Sequence, residues 1–153
     1  MRKPPVLPRP PDPVRKHMTA RPVTIAANRT LADAHTLMRE KRIRHLPVLA
    51  GDSLVGVLSQ RDLHLLETLK DVDPAKVTVD EAMTTNPYAV VPATPIAEVV
   101  REMARNKWGS AIVVEKGRVV GLFTLTDGMR LLARLLPHPV AGPRKKTRRR
   151  RTS

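Results

Sequence analysis

The chain contains no cysteine and only three aromatic residues, one each of Trp, Tyr and Phe. Without cysteine it cannot form disulfide bridges, thiolate metal sites or a cysteine nucleophile. Aromatic residues make up 2% of the chain and hydrophobic residues 41%, so the core must be aliphatic. No run approaches the roughly 18 apolar residues of a membrane helix, and no apolar segment follows Met1 as it would in a signal peptide. We therefore expect a soluble cytoplasmic protein with no membrane partner.

Acidic residues are scarce relative to basic ones, but only at the ends of the chain. Residues 1–21 carry six basic residues and one acidic residue, residues 22–139 carry fifteen and thirteen, and residues 140–153 carry seven and none. The central part is nearly neutral, so its surface as a whole is not predicted to bind nucleic acid. The proline-rich basic arm, residues 1–11, is expected to be extended or disordered. The basic tail, residues 138–153, is expected to be disordered because its charges repel one another.

One segment of the sequence occurs twice. Gly56-Val57-Leu58-Ser59-Gln60-Arg61-Asp62 recurs as Gly121-Leu122-Phe123-Thr124-Leu125-Thr126-Asp127, at an offset of 65 residues. The same offset relates Met18 to Met83, Pro22 to Pro87, Leu31 to Ile96, Met38 to Met103 and Val48 to Val113. So many matched positions at one offset indicate an internal duplication.

Each copy has the same order of predicted elements. In the first copy these are a short helix from Asp12 to Met18, a strand at Val23–Ile25, a helix that begins after Thr30, two apolar strands around Gly51-Asp52-Ser53, and a helix over Gln60–Lys70. A copy of about 60 residues buries little apolar surface alone, and its continuous apolar strands need both faces covered. We therefore predict an α/β (α+β) fold. Two β-α-β-β-α motifs, residues 12–74 and 75–137, pack together about a pseudo-twofold axis.

A hydroxyl residue and an aspartate stand together where a strand runs into a helix in each copy. The pairs are Ser59 with Asp62 and Thr124 with Asp127. The free amides and positive dipole of a helix start favour anions, so the hydroxyl can donate to a phosphate and the aspartate can accept from a ribose diol. An ordinary helix N-cap with an acidic first turn accounts for the same residues. Both interpretations are open at this point.

The duplicated pattern resembles a tandem pair of CBS (cystathionine beta-synthase) motifs, known as a Bateman module, over residues 12–136. The matching segments are Met18-Thr19, Pro22 to Ile25, Leu31 to Ala34, Arg44 to Val48 and Leu54 to Asp62 in the first copy, and Met83-Thr84, Pro87, Ala111 to Val114 and Val119 to Asp127 in the second. The resemblance implies clefts between the motifs that bind AMP, ADP, ATP or another adenosyl compound, with no catalytic cofactor. It also implies that two modules associate as a homodimer.

By this resemblance, each cleft joins the hydroxyl-x-x-Asp segment of one motif to the first strand of the other and to the turn that precedes its central hairpin. Site A would contain Val23, Thr24, Ile25, Arg44, His45, Leu46, Pro47, Thr124, Thr126 and Asp127. Site B would contain Tyr88, Ala89, Val90, Trp108, Gly109, Ser110, Ala111, Ser59, Arg61 and Asp62. Arg44 and Arg61 are the natural phosphate partners, because a guanidinium can hold a phosphate through two hydrogen bonds. Backbone groups beside Thr24 and Ala111 would contact the adenine edge.

The two predicted sites are chemically unequal. Site A has Arg44, His45 and Thr126 at the positions where site B has Gly109, Ser110 and Arg61. Pro47 of the first motif is replaced by Ile112 in the second. The positive charge that a polyanionic ligand needs is therefore divided between the sites, and whether both are occupied is open. Tyr88 and Trp108 both fall in site B, where they can stack on a base or fill a dimer face. Met18 and Met83 are expected to fill the core.

These features favour a stand-alone regulatory protein. It would bind an adenine nucleotide, change conformation and act on an effector protein that the sequence does not identify. An enzyme is not predicted, because no Ser/His/Asp set, phosphate-binding loop or pair of carboxylates falls in a cleft, and no metal site is predicted because the histidines lack ligand spacing. Two alternatives stay open: nucleic-acid binding through the basic tail, with the CBS pair as a dimerisation scaffold, and a scaffold that binds no ligand.

Overall fold

The structure of the protein is a computed structural model that describes residues 11–137. Within this range, eight strands form two four-stranded sheets with five α-helices around them, and no helix is long and apolar enough to cross a membrane. The first half contains a 3-10 turn (Val14–Lys16), β1 (Thr19–Ala20), β2 (Ile25–Ala26), α1 (Leu31–Lys41), β3 (His45–Ala50), β4 (Ser53–Ser59) and α2 (Gln60–Glu67). The second half contains α3 (Val79–Ala82), β5 (Thr84–Thr85), β6 (Ala89–Val90), α4 (Ile96–Asn106), β7 (Ser110–Glu115), β8 (Arg118–Thr124) and α5 (Leu125–Leu135). The predicted α+β fold with two repeated motifs is confirmed, whereas the tails predicted to be disordered lie outside the described residues, apart from Pro11.

The two sheets have the same topology. Their strand orders are β2-β3-β4-β5 and β6-β7-β8-β1, and in each the first pair is parallel and the others antiparallel. His45 pairs with Ser59 in the first sheet, and Ser110 pairs with Thr124 in the second, so both partners shift by the repeat offset. The irregularity in each central hairpin also recurs at that offset. The strand pairing confirms the duplication inferred from the sequence.

The segment that leads each motif belongs to the sheet of the other motif. β1 is encoded in the first half but pairs with β8, and β5 is encoded in the second half but pairs with β4. The backbone amide of Val14 donates to the carbonyl of Thr94 at 2.8 Å, and the amide of Val79 donates to the carbonyl of Arg29 at 2.8 Å. The two halves are therefore interlocked, and the packing units do not follow the 12–74 and 75–137 boundaries of the sequence repeat.

The cores show the same exchange. The first core consists of Ile25, Leu31, Ala34, Met38, Leu46, Val48, Leu58, Leu63 and Val79. The second consists of Val14, Ile96, Val99, Met103, Ala111, Val113 and Phe123. Val79, with Met83 packed beside it, thus completes the core of the first half, and Val14, with Met18, completes that of the second. Both cores are aliphatic except for Phe123, as the scarcity of aromatic residues predicts.

Element boundaries follow the sequence prediction where a cap fixes them. α1 begins after Thr30, whose hydroxyl accepts from the Asp33 amide at 3.2 Å. α2 ends at Glu67 instead of Lys70, and the Leu69 amide donates to the Leu66 carbonyl at 3.1 Å in a tighter final turn. The helix predicted from Asp12 to Met18 is a single 3-10 turn, since the next residues are held extended by pairing with β8.

Candidate functional site

Two clefts lie where the strands of one half meet the helix starts of the other. Cleft A, of about 470 Å³, is lined by Thr19, Arg21, Pro22, Val23, Arg42, Ile43, Arg44, His45, Leu122, Thr124, Leu125, Thr126, Asp127 and Arg130. Cleft B, of about 640 Å³, is lined by Arg44, His45, Val57, Ser59, Gln60, Arg61, Asp62, His64, Thr84, Asn86, Pro87, Tyr88, Lys107, Trp108, Gly109, Ser110 and Leu125. Most lining positions of one cleft are related to those of the other by the repeat offset. Both volumes are in the range of small-molecule sites.

The structure brings together the segments that the resemblance pairs. Val23, Arg44, His45, Thr124, Thr126 and Asp127 of predicted site A all line cleft A. Ser59, Arg61, Asp62, Tyr88, Trp108, Gly109 and Ser110 of predicted site B all line cleft B. Ligand contact by these residues is still a prediction.

Seven predicted site residues do not line the expected cleft. They are Thr24, Ile25, Leu46 and Pro47 of site A, and Ala89, Val90 and Ala111 of site B. The side chains of Leu46, Pro47 and Ala111 are fully buried, so these residues can offer a ligand only backbone groups. Thr24 and Ile25 line a separate groove along α1. Both faces of β3 and β7 are covered, so consecutive residues such as Leu46 and Pro47 are buried together and cannot line a cleft with their side chains.

Several lining residues were not predicted. Arg21, Arg42 and Arg130 add three guanidinium groups to cleft A, and Asn86 and Lys107 are the counterparts of the first two in cleft B. The sequence signal for these positions is the repeat offset, which relates Arg21 to Asn86 and Arg42 to Lys107. Arg21 and Asn86 have φ of 50° and 52°, and Arg42 and Lys107 have φ of 54° and 57°. The duplication therefore preserves a left-handed backbone, uncommon outside glycine, at two rim positions of each cleft.

In both clefts the hydroxyl-x-x-Asp segment forms a helix cap. The Ser59 hydroxyl accepts from the Asp62 amide at 3.1 Å, while Asp62 Oδ2 accepts from the Ser59 amide at 3.0 Å and from the hydroxyl at 2.7 Å. Thr124 and Asp127 repeat these bonds, with the two bonds to Asp127 Oδ2 at 2.9 and 3.0 Å. The capping interpretation is confirmed.

The second oxygen of each aspartate has a different environment. Within residues 11–137, Asp62 Oδ1 receives no hydrogen bond, and Asp127 Oδ1 lies 3.6 Å from Nη1 of Arg130. The cap therefore uses Oδ2 and holds the carboxylate rigid, leaving Oδ1 as an acceptor. Capping and ligand binding are compatible roles for the same side chain.

An aromatic pair distinguishes cleft B. The rings of Tyr88 and Trp108 are stacked, with centroids 4.7 Å apart and planes inclined by 25°. Trp108 keeps 40% of its surface exposed although its ring is stacked on Tyr88. Burial raises the pKa of the Tyr88 phenol, and Glu98 and Glu102 add to the effect, so this ring stays uncharged at neutral pH. The corresponding positions in cleft A hold Val23 and Ile43.

Arg44, His45 and Leu125 line both clefts and form the wall between them. A Cβ atom on Gly109 would lie 2.8 Å from Nε2 of His45, so the glycine leaves room for this ring. Burial lowers the pKa of His45, while the charge of Asp62 raises it and that of Arg44 lowers it further. The neutral imidazole is therefore favoured. The Asp62 effect also shows that a residue predicted for site A lies within electrostatic range of site B.

One difference in backbone bonding follows from the proline of the first motif. The amide of Ile112 donates to the carbonyl of Tyr88 at 2.8 Å. The equivalent residue of the first motif is Pro47, which has no amide hydrogen and cannot make this bond to the carbonyl of Val23. Because Val23 lines cleft A, the substitution leaves that carbonyl without its repeat-equivalent donor at the edge of the cleft.

Comparison with known proteins gives the class that this fold and these clefts define. The family model for the CBS domain matches residues 14–65 and again residues 79–134. The chain belongs to the CBS domain family and contains a pair of these domains.

Two relatives show how such a pair occurs in longer proteins. The chain is 34% identical over 106 residues to an inosine-5'-monophosphate dehydrogenase of Korarchaeum cryptofilum, covering 69% of this chain and 21% of that enzyme. It is 27% identical over 122 residues to the uncharacterized protein MJ1225 of Methanocaldococcus jannaschii, covering 79% of this chain and 43% of that protein. The chain thus spans less than half the length of both relatives.

Three solved structures are similar in fold. The CBS domain pair of MJ0100, in complex with 5'-methylthioadenosine and S-adenosyl-L-methionine, has a TM-score of 0.76 at 26% identity, covering 83% of this chain and 100% of that chain. The CBS domain of a bacterial CNNM/CorC family Mg²⁺ transporter, in complex with ATP, has a TM-score of 0.68 at 34% identity, covering 79% and 87%. CBSX2, in complex with AMP, has a TM-score of 0.70 at 26% identity, covering 80% and 97%.

Proposed function

We propose that this CBS pair is a regulatory module that binds an adenine nucleotide or another adenosyl compound in its clefts and transmits the resulting change to an effector protein. The observation that carries the proposal is the duplicated aspartate. In each cleft a helix cap holds Asp62 or Asp127 through Oδ2 and leaves Oδ1 as a further acceptor. The adenosyl ligands of the three similar structures support the same ligand class.

Each part of the ligand has a candidate partner. The carboxylates of Asp62 and Asp127 would accept hydrogen bonds from the ribose hydroxyls, and Arg44 and Arg61 would hold the phosphate. In cleft B the partly exposed ring of Trp108 would offer the base a stacking surface. We propose a regulatory and not a catalytic role, because these residues bind and orient a nucleotide without offering a group that attacks it.

Substitution of the aspartates tests the assignment. Asp62→Ala and Asp127→Ala should each weaken AMP binding at one cleft by about 1.5–3 kcal/mol, the usual contribution of a charged hydrogen bond. Asp33→Ala is the matched control, because Asp33 makes the same capping box with Thr30 at the start of α1 and lines neither cleft. Calorimetric titration should show unchanged AMP affinity for the control. Equal losses in all three variants would assign the effect to helix capping alone.

We further propose that the module forms a homodimer through α5. Leu125, Met129, Leu132 and Leu136 are all exposed and follow one another at helical spacing along this helix and its C-cap. Apolar residues in such a stripe are rarely left in water, and a second copy of the chain offers the same stripe for mutual burial.

The basic tail supports a second candidate function. Residues 140–153 carry seven basic residues and no acid, which suits salt-dependent binding to nucleic acid without sequence preference. Deletion of residues 143–153 should then abolish DNA and RNA binding in a gel-shift assay and leave nucleotide binding unchanged. Retained nucleic-acid affinity would exclude the tail as its source.

A further inference from the structure

The wall between the two clefts contains one cationic side chain. Arg44 lines both cleft A and cleft B, whereas its repeat counterpart, Gly109, has no side chain and lines cleft B only. The duplication has therefore left a single guanidinium where two related sites meet. Within residues 11–137, no carboxylate lies within 4 Å of the Arg44 guanidinium, so no ion pair holds it to either side.

The backbone of Arg44 is fixed beside the start of α2 in cleft B. Its carbonyl accepts from the amide of Gln60 at 2.8 Å, and Gln60 is the first residue of α2, directly after the Ser59 cap. The residue nevertheless belongs to the turn that precedes β3 and contributes to cleft A. Its long side chain can therefore serve a phosphate in either cleft, but one guanidinium cannot grip two separate phosphates bidentately at the same time.

We propose that Arg44 is a specificity-determining residue shared by the two clefts, so that the pair binds one phosphorylated adenosyl ligand tightly but not two. The inference rests on the proposed function, because it concerns ligands of the same clefts. The first phosphorylated ligand takes Arg44, and the second binds without it. A phosphate-free adenosyl compound does not use Arg44, so it can occupy the other cleft beside a nucleotide without a loss of affinity.

Sharing of Arg44 between the clefts predicts a measurable change in the AMP association constants. In Asp127→Ala only cleft B is intact, and in Asp62→Ala only cleft A, so each variant gives the AMP association constant of one cleft with Arg44 free to serve it. In the unmodified chain both clefts must fill with one Arg44 between them. The product of its two AMP association constants should then be about tenfold smaller than the product of the two single-cleft constants, the equivalent of one charged hydrogen bond.

The test is calorimetric titration of the full chain with AMP and, separately, with adenosine. Trp108, the only tryptophan, lines cleft B, so a change in its fluorescence identifies ligand binding in that cleft. When Arg44→Gln is added to all three proteins, the two products of AMP association constants should agree, so the tenfold deficit disappears. With adenosine the two products should agree whether or not Arg44 is present. Arg42→Gln is the matched control, because Arg42 lines cleft A only; it should weaken AMP binding there and leave the deficit unchanged.

Two results would overturn the inference. One is agreement of the two AMP products in the unmodified chain. The other is a deficit that persists in Arg44→Gln, which would assign the antagonism to repulsion between the phosphates. Absence of binding by adenosine, AMP, ADP, ATP and S-adenosyl-L-methionine alike would contradict the proposed function itself, so the two failures are distinguishable. Thermal unfolding of each variant confirms that the compared proteins are folded.

Discussion

At the scale of single residues, the repeated glycines are contact points between the halves. A Cβ atom on Gly56 would lie 2.5 Å from Sδ of Met83 and 2.8 Å from the carbonyl oxygen of Thr84. Met18 occupies the equivalent place against Gly121. Each glycine thus lets a methionine of the exchanged segment pack directly on the backbone of the central hairpin. The repeat of this glycine is visible in the sequence, but its partner lies in the other motif and cannot be identified by local spacing.

We predict that Gly56→Ala destabilises the protein by about 1–3 kcal/mol, because the methyl group meets backbone as well as the methionine. Gly128→Ala is the matched control: it lies within α5, and its Cβ would come no closer than 3.7 Å to the ring of Phe123. There the alanine should stabilise the protein by about 0.5–1 kcal/mol through helix propensity. Urea unfolding measures both changes, and destabilisation by both variants alike would contradict the packing argument.

At the scale of elements, helix starts are the features that sequence reasoning describes best. A hydroxyl residue followed by an acid three positions later marks α1, α2 and α5, and each pair forms the expected reciprocal bonds. These motifs are local, so the chain within four residues decides the outcome. The clefts are less predictable, because Arg21 and Arg42 reach the rim of cleft A from a turn and a helix end. No apolar period marks such positions; only the repeat could have pointed to them.

The exposed apolar face of α5 leads to a prediction about dimer formation. Its exposed face includes Met129 at 64% and Leu132 at 45%, and neither residue lines a cleft. If this face holds two copies together, Met129→Glu with Leu132→Glu should convert the dimer to a monomer, because charge would be buried without a partner. Light scattering coupled to size-exclusion chromatography measures the mass. Val91→Glu, a charge added at another exposed apolar residue, should leave the mass unchanged. A monomeric unmodified protein, or a double variant that remains dimeric, would exclude this interface.

At the scale of the whole molecule, the two halves exchange their leading segments. Val14 and Val79 are fully buried in the core of the half that does not encode them. The sequence repeat predicts two motifs in contact, and this is confirmed. It does not predict the exchange, because a strand of two residues such as β1 has too little pattern to specify which sheet it joins.

This exchange predicts a single unfolding transition. Val79→Ala removes buried methyl groups from the first core and should cost about 2 kcal/mol. Trp108 belongs to the second half, where it stacks on Tyr88, and so reports the unfolding of that half. Its fluorescence should nevertheless show unfolding at a lower denaturant concentration, with the free energy of unfolding reduced by the same amount. Val14→Ala, in the second core, is the companion variant and should shift the signal equally. A Trp108 transition that ignores Val79→Ala would show that the halves unfold independently.

The measurement that tests the central claim most directly is calorimetric titration of the full chain with AMP, ADP, ATP and S-adenosyl-L-methionine, each paired with a thermal-shift measurement. We expect saturable heat with at least one of these compounds. The melting temperature should rise with that ligand, because a ligand that binds only the folded state stabilises it. No heat and no thermal shift with any of the four would contradict the assignment of clefts A and B as adenosyl-binding sites.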